Sequence, residues 1–121
     1  MDEIPDGSVK LQPNEHGYLA VESQGGLVSC LIQKDWVGCE TPATNWPPHA
    51  DGTPFHSFRG YPDGSFEWAD GQIGDLSRTT VADGRYHALG WTIAPIGDGL
   101  QLTNDRTGHS ICVTTTGVRS T

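Results

Sequence analysis

A chain of 121 residues, with 7 lysines and arginines against 15 aspartates and glutamates, carries a formal charge of −8. Its basic residues (Lys10, Lys34, Arg59, Arg78, Arg85, Arg106 and Arg119) stand singly, so nucleic acid and anionic membrane surfaces lack the clustered cations they need. The length fits one domain with a thin core. No apolar run approaches the roughly 20 residues of a membrane span.

Read from the start, residues 1–14, "MDEIPDGSVKLQPN", are polar and broken by proline. They are expected to form a loose arm ahead of a single domain over residues 15–121. Met1-Asp2-Glu3 is acidic where a signal peptide begins basic, so either the protein stays in the cytosol or an export signal preceded residue 1. The cysteines decide between these.

"YLAVESQGGLVSCLIQKDWVGCET" reads as strands over residues 18–23, 27–33 and 36–41, separated by Gln24-Gly25-Gly26 and Lys34-Asp35. When the second pair folds about Lys34-Asp35, facing residues have numbers summing to 69, and Cys30 meets Cys39. In a two-residue hairpin that is a non-hydrogen-bonded pair, where side chains approach closest. Both Cβ atoms then point to one face at a separation that suits a disulfide. A redox C-x-x-C is absent, and so are paired zinc knuckles. The expected bond between Cys30 and Cys39 implies an oxidising compartment, hence export. The third cysteine, Cys112, alternates with Ile111 and Val113 and reads as a small buried hydrophobe, or else as an exposed thiol.

"TPATNWPPHADGTP", Thr41 to Pro54, is too rich in proline for a central strand and is expected to be a long surface loop. Asp-Gly pairs punctuate the rest, and flanked by alternating apolar residues they signal hairpins. One hairpin turns at Pro62-Asp63-Gly64, with Phe58 and Tyr61 before it and Phe66 and Trp68 after. Another turns at Gly97-Asp98-Gly99, between Leu89, Trp91, Ile93 and the returning Leu100, Leu102. "TGHSICVTTTGV" closes the chain as a threonine-rich strand, and only "GQIGDLSRTTVADG" has room for a short helical turn. The sum is an all-β protein: an antiparallel meander of about eight strands, as a small sandwich or partly open barrel.

Candidate chemistry is sparse. His49, Asp51 and His56 have residue types that suit a zinc or copper ion, but no ligand spacing supports one. They read as solvated loop residues, and no metal or other cofactor is expected. "TNDRTGH" packs Asn104, Asp105, Thr107 and His109 into one turn. Such side chains bond their own backbone, or Asn104 and His109 serve a polar binding site. No G-x-S-x-G elbow accompanies a catalytic serine, and the scattered aspartates do not make a calcium loop. The aromatics are the strongest lead. Trp46 beside Pro47-Pro48, with Tyr61 and Trp68 near a hairpin tip, could stack on sugars or anchor a partner. Otherwise Trp68 and Trp91 fill the core and Trp46 caps it.

The cysteine hairpin together with Tyr86…Gly90-Trp91-Thr92-Ile93, Thr103-Asn104-Asp105 and Thr107-Gly108-His109 resembles a loose group of small exported proteins and lipoproteins of mycobacteria and related actinobacteria. The likeness spans roughly residues 18–118. It implies a secreted or cell-envelope location and no activity. The expectation is therefore an exported binding or interaction module without catalytic machinery, meeting a protein, glycan or lipid partner at the envelope. The alternatives are a carbohydrate- or lipid-binding protein using exposed Trp46, Tyr61 and Trp68, or a small metal-dependent hydrolase built on His49, His56 or His109.

Overall fold

The computed structural model describes residues 8–42, 46–74, 76–82 and 84–120. These hold twelve strands and no helix: β1 (Ser8–Lys10), β2 (Leu19–Ser23), β3 (Ser29–Ile32), β4 (Val37–Glu40), β5 (Ser57–Gly60), β6 (Phe66–Ala69), β7 (Arg78–Val81), β8 (Arg85–Ala88), β9 (Trp91–Ile96), β10 (Gly99–Asn104), β11 (Ser110–Thr114) and β12 (Gly117–Ser120). One sheet runs β1-β8-β9-β10-β11-β12 and the other β6-β5-β4-β3-β2-β7, and neither closes into a barrel. The all-β class is as expected, with more and shorter strands than the turn signals suggested.

Alternation builds the core. Trp91 and Ile93, Leu100 and Leu102, and Ile111 and Val113 turn inward from β9, β10 and β11, while the residues between them stay half-exposed. Val21, Ile32, Val37 and Phe58 meet them from the second sheet within a single apolar cluster. The two-residue turn at Lys34-Asp35 sets the register, with Cys30 opposite Cys39 and Ile32 opposite Val37. The Gln33 amide donates to the Trp36 carbonyl at 3.0 Å, closing the hairpin. Cys30 and Cys39 form a disulfide across Cα atoms 4.0 Å apart, fully inside the core.

Two pairings depart from a meander. β1 lies parallel to β8, and β2 parallel to β7. Part of the expected loose arm is thus built into a sheet, with Leu11 extending it by donating its amide to the His87 carbonyl at 2.8 Å; residues 1–7 lie outside the described residues. Among its described residues "GQIGDLSRTTVADG" holds β7 and no helical turn. Antiparallel partners announce themselves through short turns, whereas parallel partners come from distant segments and leave no local signal.

The second parallel pair has a consequence for the surface. β6 and β7 are opposite edges of their sheet, so the chain between them must cross its whole outer face. The chain between Ala69 and Arg78, described at residues 70–74, 76 and 77, makes that crossing. Five inter-strand steps of ~4.8 Å are roughly 24 Å, close to the reach of an extended segment of that length, so the connection is a taut strap. It is pinned at two places. The Ile73 amide donates to Glu40 Oε1 at 2.6 Å, and the Arg78 guanidinium donates to the carbonyls of Gly74 at 3.0 Å and Leu76 at 3.5 Å.

Candidate functional site

The long loop after β4 does not present its tryptophan to solvent. Trp46 is 2 % exposed, which overturns the expectation of a surface aromatic. Its indole N–H donates to the Thr114 carbonyl at 2.9 Å, and its ring lies 5.4 Å from Trp68 and 5.7 Å from Phe58. The physical reason is the open end of the sandwich. A gap between two sheets takes a large ring whose one polar atom can find an acceptor. Trp68 is half-buried among Trp46, Phe55, Phe58 and Phe66, with centroids 5.4–6.2 Å apart. Trp46 and Trp68 therefore act as packing, and Tyr61 lies at the other end of the strands.

The histidines of this loop are engaged in structure. His49 Nδ1 faces the Thr53 carbonyl at 2.8 Å and Nε2 faces Asp70 Oδ1 at 2.6 Å. Both partners accept, which favours a proton on each ring nitrogen, and the pKa is raised by the Thr53 carbonyl first and the Asp70 carboxylate second. The ring also stacks on Phe55 at 3.7 Å. Asp51 caps the same turn, its pKa lowered by the Thr53 hydroxyl and then the Thr53 amide. His56 Nδ1 donates to the Thr41 carbonyl at 3.1 Å. A metal would have to displace these bonds, and among the described residues no three His, Cys, Asp or Glu side chains gather as a ligand group.

The opposite end brings other predicted residues together. Asn104 is buried, and its Oδ1 accepts from the amides of Arg106 and Thr107, both at 3.1 Å. That side chain thereby shapes the loop from Asp105 to His109, which the Asn104 amide closes on the His109 carbonyl at 2.9 Å. The Thr107 hydroxyl then donates to the Pro62 carbonyl in the β5–β6 turn. In that turn Asp63 Oδ1 accepts from the Ser65 hydroxyl and amide, which lower its pKa most, and the nearby His109 lowers it further. Tyr61 donates its hydroxyl to Glu67 Oε1 at 2.6 Å, and that bond raises its pKa. Tyr61, Asn104 and His109 thus belong to one joined pair of loops.

Two further turns complete this end. A cleft of about 590 Å³ lies between Lys34-Asp35, Leu89-Gly90 and Asp105-Arg106. Trp91 holds the first turn by donating its indole N–H to the Gln33 carbonyl at 2.9 Å. The Asp105 amide donates to the Gly90 carbonyl at 2.9 Å, tying the second turn to the third. Leu89 has φ of 53°, followed by Gly90 at 84°. The pair is a two-residue turn whose first position prefers Asn or Gly, so Leu89 holds roughly 1 kcal/mol of backbone strain. Leu89 is half-buried against the core, which compensates. A leucine carries no turn signal, so sequence reading missed it; only the following glycine hinted at it.

Beside this cleft the Thr92 hydroxyl donates to Asp105 Oδ1 at 2.5 Å and meets His87 Nδ1 at 3.1 Å. The hydroxyl proton is committed to the carboxylate, so the imidazole nitrogen donates to the oxygen. A nucleophile activated by a histidine needs the opposite polarity, so the trio is a clip between strands and loop. No protein-family model, curated protein or solved structure matches this chain.

Proposed function

We propose that this chain is a binding module that works outside the cytosol, at a cell envelope or secreted, and meets a protein partner through the end bearing Lys34, Asp35, Leu89, Asp105 and Arg106. The observation that carries this reading is the convergence of three turns on one cleft above a rigid frame. Recognition is commonly placed on loops held by a scaffold that does not move. The strained Leu89 supports it, because backbone strain gathers at binding sites. The rim carries Lys34 and Arg106 beside Asp35 and Asp105, and charges of both signs suit a protein surface with matched charges more than a uniformly charged polymer. The Cys30–Cys39 disulfide supports the compartment. The likeness to small exported actinobacterial proteins points the same way.

Two measurements test the two halves of the reading. Alkylation of the protein in its native cells, followed by denaturation without reductant, should find Cys112 as the only free thiol; three free thiols would remove the compartment. A photo-activatable side chain at Arg106 should capture a partner on intact cells, and the same group at Thr116, in the exposed turn at the far end, should not. Equal capture from both ends, or none from either, would remove the binding face. Trp46, Tyr61 and Trp68 as a shared aromatic platform for glycan or lipid lose support, because Trp46 is buried and Trp68 packs among Trp46, Phe55, Phe58 and Phe66.

A further inference from the structure

The strap crossing the outer face of the second sheet leaves a cavity of about 130 Å³ between itself and the strands. It is lined by Leu31, Trp36, Gly38 and Ile73, with Glu40 and Arg59 as its charged groups. The Trp36 indole covers Gly38 for a steric reason. A Cβ at Gly38 would stand 2.9 Å from Cζ3 of Trp36, so the indole lies flat on the sheet only because that position is glycine. Arg59 is fixed in turn, with its guanidinium carbon 4.4 Å from the centroid of the Trp36 ring. Glu40 is half-buried and held by the strap through one oxygen, Oε1, that accepts from Ile73. A rigid apolar lining thus meets one oriented donor group and one oriented acceptor group.

We propose that this cavity binds a neutral hydroxylated ring, a single pyranose unit of a glycan. The cavity is small and lies on one face of the sheet, so it takes a single ring and not a longer chain. The C–H face of a pyranose would lie on Leu31 and Ile73 beside the Trp36 edge. Neighbouring hydroxyls would donate to Glu40 and accept from Arg59, which pairs both charges without a net charge on the ligand. A purely apolar occupant would strip water from the half-buried Glu40 carboxylate and return nothing. An anion would face Glu40 on a chain of net charge −8, and a cation would face Arg59. This site is separate from the loop end, and a protein whose loop end binds nothing still holds it.

The test is a titration of the ¹⁵N-labelled protein with methyl glycosides of common hexoses up to high millimolar concentration, read by amide shifts. The expected result is saturable shifts at Leu31, Gly38, Arg59 and Ile73 for at least one glycoside. Cyclohexanol and the zwitterion alanine, run as controls, should leave those amides unmoved. Glu40→Gln keeps an oxygen for the Ile73 amide but loses the charge, and should weaken the affinity about tenfold, the loss of one charge-assisted bond. Arg59→Gln should do likewise, and an unchanged spectrum elsewhere would show that both variants fold. Four results would overturn the proposal: no saturable shift with any glycoside, shifts confined to other surfaces, equal response to a control, or undiminished binding by both variants.

Discussion

The indole N–H of Trp46 reaches the main-chain carbonyl of Thr114 at 2.9 Å across 68 positions of sequence, and so bolts the long loop of one sheet to the penultimate strand of the other. The ring is enclosed by Phe58 and Trp68, and the bond satisfies its one polar atom. Replacement by alanine opens a cavity and should cost about 3–5 kcal/mol. Replacement by phenylalanine keeps most of the volume but loses the indole's hydrogen bond, and should cost about 1 kcal/mol. Urea denaturation followed by circular dichroism measures both, and an alanine variant as stable as the parent would contradict this packing.

The disulfide closes a short loop, so its contribution is bounded. Ten residues from Cys30 to Cys39 correspond to about 2.7 kcal/mol on the chain-entropy account. A Cys30→Ala, Cys39→Ala double variant should lose about that much, plus a small packing term because both side chains face the core. Reduction of the parent protein should reproduce most of the loss in the denaturation midpoint.

His49 links the turn around Thr53 to Asp70 at the start of the strap. Its pKa is raised in the folded protein, so the stability it contributes is fully present below its ordinary value of 6.5 and is lost as pH rises through the folded value. The loop should therefore loosen as pH rises above the ordinary histidine range. Imidazole resonances of His49 should titrate above the ordinary range, and Asp70→Asn should bring them part of the way back. A midpoint at or below 6.5 would contradict the two-acceptor geometry.

Asp98 behaves in the opposite sense. Its carboxylate accepts from the hydroxyl and the amide of Thr115, which lower its pKa and clip the β9–β10 turn to the β11–β12 turn. That contribution is present above the ordinary value of 3.8 and disappears as pH falls through the folded value. Thr115→Val should remove much of the shift while keeping the shape. Carboxyl chemical shifts of Asp98 followed through acid would show it.

Two glycines are required by close approach. A Cβ at Gly99 would stand 1.8 Å from the Val113 carbonyl oxygen, and one at Gly60 would stand 2.4 Å from Cδ1 of Ile111. The first obstacle is backbone, so Gly99→Ala should separate β10 from β11 and cost about 3 kcal/mol or more. Gly60→Ala meets the end of a side chain that can rotate, and should cost less. Thermal midpoints of the two variants should fall in that order.

The hairpin from Ser29 to Glu40 was legible because a turn of two residues leaves one possible register, and register decides which side chains meet. The inward run of Trp91, Ile93, Leu100 and Leu102 was legible for a related reason: alternation along a strand is a local property. Asn104 and His109 were visible as a polar turn, but their junction with the β5–β6 turn through Thr107 was not. Leu89 showed only through the glycine after it, and the strap cavity gave no warning, because its cover comes from far along the chain, Ile73 meeting Glu40 across 33 positions.

By itself, then, the order of residues determined the all-β class, the antiparallel hairpins and the meeting of Cys30 with Cys39, all consequences of period-two patterning and of turns a few residues long. Only the tertiary structure decided the parallel pairs of β1 with β8 and β2 with β7, the burial of Trp46, and the strap with its cavity. Those features depend on which distant segments fill a gap or cover a face. That choice is made by the packing of the whole molecule, for which no short stretch of sequence carries a sign.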